Sequence, residues 1–209
     1  MDIIETSLPM NRQARKRNTT NRIIIHHSVS GDVSAQTIHD WHLARGWLGI
    51  GYHFVIRQDG TVERGRAEDT VGAHAGSTAN GDSIGVCVVG NFEKYSPSSI
   101  QLLSLVKLIK DYLIPKYGAL DVERHADHMA TACPGSKFPW KAFLRRLKEV
   151  ESMDWQDEQA INMLYSLGNM GLLNDPEQHV EKIKSGEPVG DFVLLSLIER
   201  IAKQVKGVR

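Results

Sequence analysis

The run Ile23-Ile24-Ile25 sets three β-branched side chains in succession, immediately before His26 and His27. A short apolar run of this kind reads as a buried strand, because β-branched residues pack well on a pleated surface. Its C-terminal end then presents two imidazoles where chemistry can sit. A second run, Ser83-Ile84-Gly85-Val86-Cys87-Val88-Val89-Gly90, is apolar and bounded by glycines, as expected of a strand in the middle of a sheet. Two such strands need helices on the sheet faces to cover them.

The intervening sequence supplies those pieces. Residues 34–45 carry Ile38, Trp41 and His42 at helical spacing, open at Ser34 as a cap and stop near Gly46. Tyr52-His53-Phe54-Val55-Ile56, Asp59-Gly60 and Thr61-Val62-Glu63 form the pattern of a hairpin, with Asp-Gly at its turn. Ser96-Pro97 reads as a helix start, followed by Leu102, Val106, Ile109 and Leu113, and Pro115 as its end. A short strand at residues 120–122 leads to Glu123-Arg124-His125, and a last helix spans residues 140–150. Strands interleaved with helices predict an α/β domain, a central mixed β-sheet flanked by helices, over residues 22–150. Before it lies a polar leader, residues 1–21. After it, residues 151–209 carry helical pattern at Ile161, Leu164 and Leu167, and again at Leu194, Leu197, Ile198, Ile201 and Val205, which predicts a small helical module.

Composition excludes several functions. Lys plus Arg equals Asp plus Glu at 25 each, so no overall positive field gathers nucleic acid. No stretch approaches the ~20 apolar residues of a membrane span. The leader lacks the apolar core of a signal peptide, which predicts a chain made without an export signal and held in the cytoplasm. Only two cysteines, Cys87 and Cys133, are present, too few for a disulfide framework. A reduced cysteine is free to bind metal. Cys87, inside an apolar strand, reads as core filler.

His125 and Cys133 stand eight residues apart across a loop punctuated by Pro134 and Gly135, and His26 ends its strand about a hundred residues earlier. Two imidazoles and one thiolate are the three protein ligands of a hydrolytic zinc site, which leaves a fourth position for water. Spacing alone decides little among nine histidines. Ordinary burial accounts for scattered His and Cys equally well.

The combined motifs are more specific. Ile23-Ile24-Ile25-His26-His27-Ser28, Gly46-Trp47-Leu48-Gly49-Ile50-Gly51-Tyr52-His53-Phe54, Asp59-Gly60-Thr61-Val62-Glu63-Arg64-Gly65-Arg66, Gly72-Ala73-His74-Ala75, Asn80-Gly81-Asp82-Ser83-Ile84-Gly85-Val86 and Arg124-His125 through Thr131-Ala132-Cys133-Pro134-Gly135 occur in order. This pattern resembles the zinc amidase family shared by phage lysozyme-like amidases and animal peptidoglycan recognition proteins, over about residues 22–145. The resemblance implies zinc-dependent cleavage of the N-acetylmuramoyl–L-alanine bond of bacterial peptidoglycan, with zinc held by His26, His125 and Cys133. It makes His27 a bystander and Tyr52 a catalytic phenol near the attacked carbonyl. Many phage members carry Lys at the position of Thr131, so here a hydroxyl replaces a cation as candidate donor to the oxyanion. His74, Asn80 and Trp47 fall at substrate-groove positions of the family. Asp127 is a candidate partner for the imidazole of His125, Arg66 reads as a surface charge, and His128 receives no role.

Two alternatives belong to other classes. Members of this fold that lose a zinc ligand bind peptidoglycan without cutting it, but all three ligands are kept here. A nucleic-acid or regulatory protein finds no support in the neutral charge. The resemblance does not reach residues 151–209, for which wall targeting is the leading expectation. The expected lack of an export signal suits a phage or prophage endolysin that waits in the cytoplasm until lysis.

Overall fold

Strand β1 (Arg22–His27) lies between β4 (Ser83–Val88) and β5 (Asp121–Arg124) and is parallel to both. The structure, a computed structural model, describes residues 2–149, 164–165 and 176–185. On the other side of β4 runs β2 (Phe54–Ile56), also parallel, and β3 (Val62–Arg64) pairs with it antiparallel through the Asp59-Gly60 turn. The order β3-β2-β4-β1-β5 is the mixed sheet expected from the sequence. Gly60 sits at φ +86, a conformation that side chains rarely adopt.

Alternation along the strands decides which face each residue serves. Register pairs His26 with Cys87 and Cys87 with Val55, so these three share one face. That face packs against α1 (Ala35–Ala44): Val55 and Cys87 join Ala35 and Ile38 in one buried cluster. Cys87 is the core filler expected. Ile24, on the same face as His26, packs on Ala75 and on Ala79 of α2 (Gly76–Asn80). Phe54 points the opposite way and meets the ring of Tyr112.

Helix α1 begins where its sequence says, with Ser34 Oγ accepting the backbone N–H of Thr37. Helix α3 (Ser99–Lys107) starts later than Ser96-Pro97 suggests. Ser98 is its cap, because Ser98 and Gln101 exchange side-chain-to-backbone hydrogen bonds in a capping box. Its end also differs from expectation. Pro115 does not stop the helix: a π-helical stretch, Leu108–Leu113, leads into α4 (Ile114–Tyr117) with Pro115 in the first turn of α4. The wider turn accommodates a residue that has no N–H to give. Gly118, at φ +83, ends the element.

The polar leader is tied to this body. Ile4 donates its N–H to the Val62 carbonyl and accepts from Arg64, alongside β3. Arg17 reaches further in, donating to the carbonyls of Glu68, Thr70 and Ser83. After β5, a single 3₁₀ turn at His125–Asp127 opens the loop to Cys133, and α5 (Trp140–Glu149) follows.

The chain divides into two compact units, residues 1–147 and 148–209. In the second unit, α6 (Pro176–Ser185) is helical and Leu164 and Tyr165 are helical and buried. The amphipathic patterns at Ile161, Leu167 and residues 194–205 lie outside the described residues. No described helix is long and apolar enough to cross a membrane.

Ile23, Ile24 and Ile25 are each fully buried. Ile24→Ala removes three carbons from a site walled by Ala75 and Ala79, small residues that cannot close the gap. It is expected to lower unfolding stability by about 2–5 kcal/mol, read as a lower urea midpoint at unchanged m-value.

Candidate metal centre and its cleft

Three parts of the chain meet at the C-terminal end of β1. His26 arrives from the strand, His125 from the turn after the neighbouring strand β5, and Cys133 from the loop that folds back over them. One donor atom from each of these residues lies within 4.8 Å of the others. The rings of His26 and His125 are 4.5 Å apart between centroids. His26 is completely buried and Cys133 is 6% exposed. The sequence-predicted trio is therefore one cluster.

Local chemistry explains the loop. The Ala126 N–H bonds to the Cys133 carbonyl, joining the two ends of the 126–133 segment. Gly135 sits at φ +110 with its backbone against that of Phe92, where an added Cβ would lie 2.4 Å from the Phe92 carbonyl carbon. Only glycine fits there. His27 points to the other face of the sheet: its Nδ1 accepts the Phe92 N–H, while its own backbone N–H reaches Cys133 Sγ at 3.4 Å. It is a bracket for the loop rather than a member of the trio.

The electrostatics favour neutral imidazoles. Burial pushes the His26 imidazole well below its ordinary range, helped by His125, and burial lowers His125 too. Both keep a lone pair free at neutral pH. Burial pushes the Cys133 thiol up to about 11, against the help of the His27 N–H. The thiol thus holds its proton until a cation replaces it. Among the described residues His125 Nε2, which is buried, has no hydrogen-bond partner, although such atoms are nearly always satisfied.

Tyr52 stands beside the trio, its ring 5.0 Å from that of His26. Burial raises its phenol well above the usual value, so it remains an O–H donor. Its position is fixed from α1, where His39 Nδ1 accepts the Ile50 N–H and His42 Nδ1 accepts the Gly51 N–H. Arg66 braces the same segment from behind. It is 3% exposed, not the surface charge that its sequence context suggests, and it donates to the carbonyls of Ile50 and Val71. A cleft of ≈ 570 Å³ opens at Tyr52 and runs between α1 and the end of β1, lined also by Ser28, Val29, Trp41, His42 and Arg45. Val29 holds φ 55 there, a strained backbone for a β-branched residue.

The remaining candidates fall in different places. Thr131 is exposed, and its hydroxyl oxygen accepts the Cys133 N–H at 3.3 Å, which leaves its own proton to donate. Trp47 is 40% exposed and stacks on His42. His74 and Asn80 lie inward. Asn80 Oδ1 accepts the backbone N–H groups of His74 and Ala75, and the His74 ring contacts His26. Asp127 turns back on Arg124 instead of bonding His125, and His128 bonds Glu123. Arg17, His39 and His53 carry no pattern in the sequence, and His42 shows there only as part of the helical spacing of α1. Each acts on backbone groups distant in sequence, which no local signal records.

Comparison with known proteins identifies the family. The sequence model of the N-acetylmuramoyl-L-alanine amidase family matches residues 16–136. The chain belongs to that family. It is 39% identical over 130 residues to the endolysin of Klebsiella phage KP32, covering 58% of this chain and 85% of that protein. The endolysin of Escherichia phage T7 is 37% identical over 132 residues, with the same coverage. Among solved structures, the N-acetylmuramoyl-L-alanine amidase LysC from Clostridium intestinale superposes with a TM-score of 0.67 at 38% identity, covering 71% of this chain and 98% of that one.

Burial also depresses other histidines of this region, His42 to about 4 and His53 to about 3, with nearby arginines adding to it for His42. In the unfolded chain both take a proton near 6.5. Between these values the unfolded state binds more protons than the native state, so stability falls as pH drops from about 6.5 towards 4. The urea midpoint is expected to be lower at pH 5 than at pH 7. His42→Asn, which keeps an acceptor near the Nδ1 position, should narrow that difference.

Proposed function

We propose that this amidase cuts the amide between N-acetylmuramic acid and L-alanine in bacterial peptidoglycan, using zinc held by His26, His125 and Cys133. The observation that carries the reading is the convergence of these three donors within 4.8 Å beside Tyr52 and its cleft. Two imidazoles and one thiolate suit zinc, and burial keeps both imidazoles neutral, each with a lone pair to give. When bound, zinc lowers the pKa of a coordinated water towards ~7 and polarises a substrate carbonyl.

The chain's own residues do the rest. Tyr52, held protonated by burial, donates to the carbonyl oxygen as it gains negative charge. Thr131, exposed and bonded to the Cys133 N–H, offers a weaker second donor in place of a lysine. Trp41, which lines the cleft, and Trp47, whose ring lies on that of the cleft residue His42, are both partly exposed and give apolar surface for a sugar or stem peptide. Retention of all three donors and of the phenol favours hydrolysis over peptidoglycan binding alone. The endolysin relatives support a role at the cell wall after release from the cytoplasm at lysis. Residues 151–209 are assigned wall targeting.

Chelation should abolish clearing of purified walls and zinc should restore it; full clearing by metal-free protein would overturn the mechanism. Digestion is expected to free L-alanine amino groups without new reducing sugar ends. Tyr52→Phe should lower kcat by about 10²–10³ with little change in KM. Loading the site displaces the Cys133 proton, so zinc affinity is expected to rise about tenfold per pH unit near neutrality, measured by chelator competition. A chain ending at residue 150 should retain turnover of soluble muropeptides while binding whole walls less.

A further inference from the structure

His74 is an imidazole the mechanism leaves unused, yet the fold makes unusual room for it. An added Cβ at Gly72 would lie 2.4 Å from His74 Cδ2, and one at Gly85 would lie 2.5 Å from the same atom. Two glycines thus clear the space for one ring. Asn80 fixes its backbone, and the ring is buried, out of reach of the cleft.

The hydrogen bonds around it permit one direction only. Ser83 donates its single proton to the Ala79 carbonyl at 2.6 Å, so Ser83 Oγ can only accept from His74 Nε2, 3.4 Å away. No carboxylate among the described residues bonds His74, and a buried charge there would stand unpaired, so the ring is neutral with its proton on Nε2. His74 Nδ1 is then an acceptor, and the group it faces at 3.0 Å is His26 Nε2. His26 therefore carries its proton on Nε2. Its Nδ1 is left bare on the side of Cys133, whose Sγ lies 3.8 Å away.

We propose that His74 and Ser83 are positioning residues for the amidase, a relay from the Ala79 carbonyl that locks His26 in the tautomer whose Nδ1 faces the metal. A ligating histidine is ordinarily oriented by a carboxylate or carbonyl on its other nitrogen. In this chain a second imidazole takes that part and passes the orientation on from α2. The metal half of the inference rests on the zinc site proposed above; the tautomer half does not.

The test has two arms, both on the full chain. Metal-free wild-type protein labelled with ¹⁵N-histidine is examined by long-range ¹H–¹⁵N correlation: His26 is expected as the Nε2–H tautomer, and Nδ1–H would overturn the relay. Zinc affinity is then measured by chelator competition. His74→Leu should weaken it about 10–100-fold, His74→Asn, whose amide oxygen stands near the Nδ1 position, should recover most of the loss, and Ser83→Ala should cost little more once His74 is Leu. Equal affinity in folded His74→Leu and wild type would overturn the positioning role. Failure of wild type to bind zinc would sink the metal reading, while the His26 tautomer still decides the relay.

Discussion

The site depends on the register of β1. This strand is hydrogen-bonded on both sides, to β4 and β5, and its isoleucines are buried on both faces. Because side chains alternate, a slip of one residue would carry His26 to the face of Phe92 and bring His27 to that of His74. The two adjacent imidazoles look equivalent in sequence. Burial of Ile24 against Ala75 and Ala79 fixes which one turns towards Tyr52, so core packing and ligand choice are a single decision.

A second consequence concerns charge. His26, His53 and His74 are buried close together, with His42 beside Tyr52, and hydrogen bonds to backbone groups, a serine and one another hold them. Each is more easily kept neutral than charged in such surroundings. His53 shows the pattern: its Nδ1 accepts the Gly85 N–H, and its Nε2 donates to the Thr70 carbonyl. This suits a metal centre, where a protonated imidazole is no ligand. It also makes the region sensitive to acid.

Much of this was legible in the sequence, for identifiable reasons. β-branched runs and the Asp-Gly turn point to the mixed sheet because these signals are local, while the grouping of His26, His125 and Cys133 comes from the family resemblance carried by the ordered motifs, since spacing alone does not single them out. The start and end of α3 were misread, since Ser96-Pro97 imitates a cap and a π turn lets Pro115 pass. His74 and Asn80, which family position suggests for the groove, face inward. Their partners are His26 and backbone amides, and Arg66 likewise serves carbonyls 5 and 16 residues away. Side chains that satisfy distant backbone leave no periodic trace, so sequence pattern places such residues by type alone and misses their work.

The leader's attachment bears on how the molecule behaves among copies of itself. An outermost strand offers unpaired amides and carbonyls on which another chain can extend the sheet. On the β3 side Ile4 already occupies that position, bonded to Val62 and Arg64. On the β5 side the strand is short and reads Asp121-Val122-Glu123-Arg124, with charge at three of its four positions. Both margins thus discourage strand addition, one by a strap of its own backbone and one by its short length and hydrated charged side chains. Loss of the first few residues would reopen a template for aggregation while leaving the metal-binding trio intact.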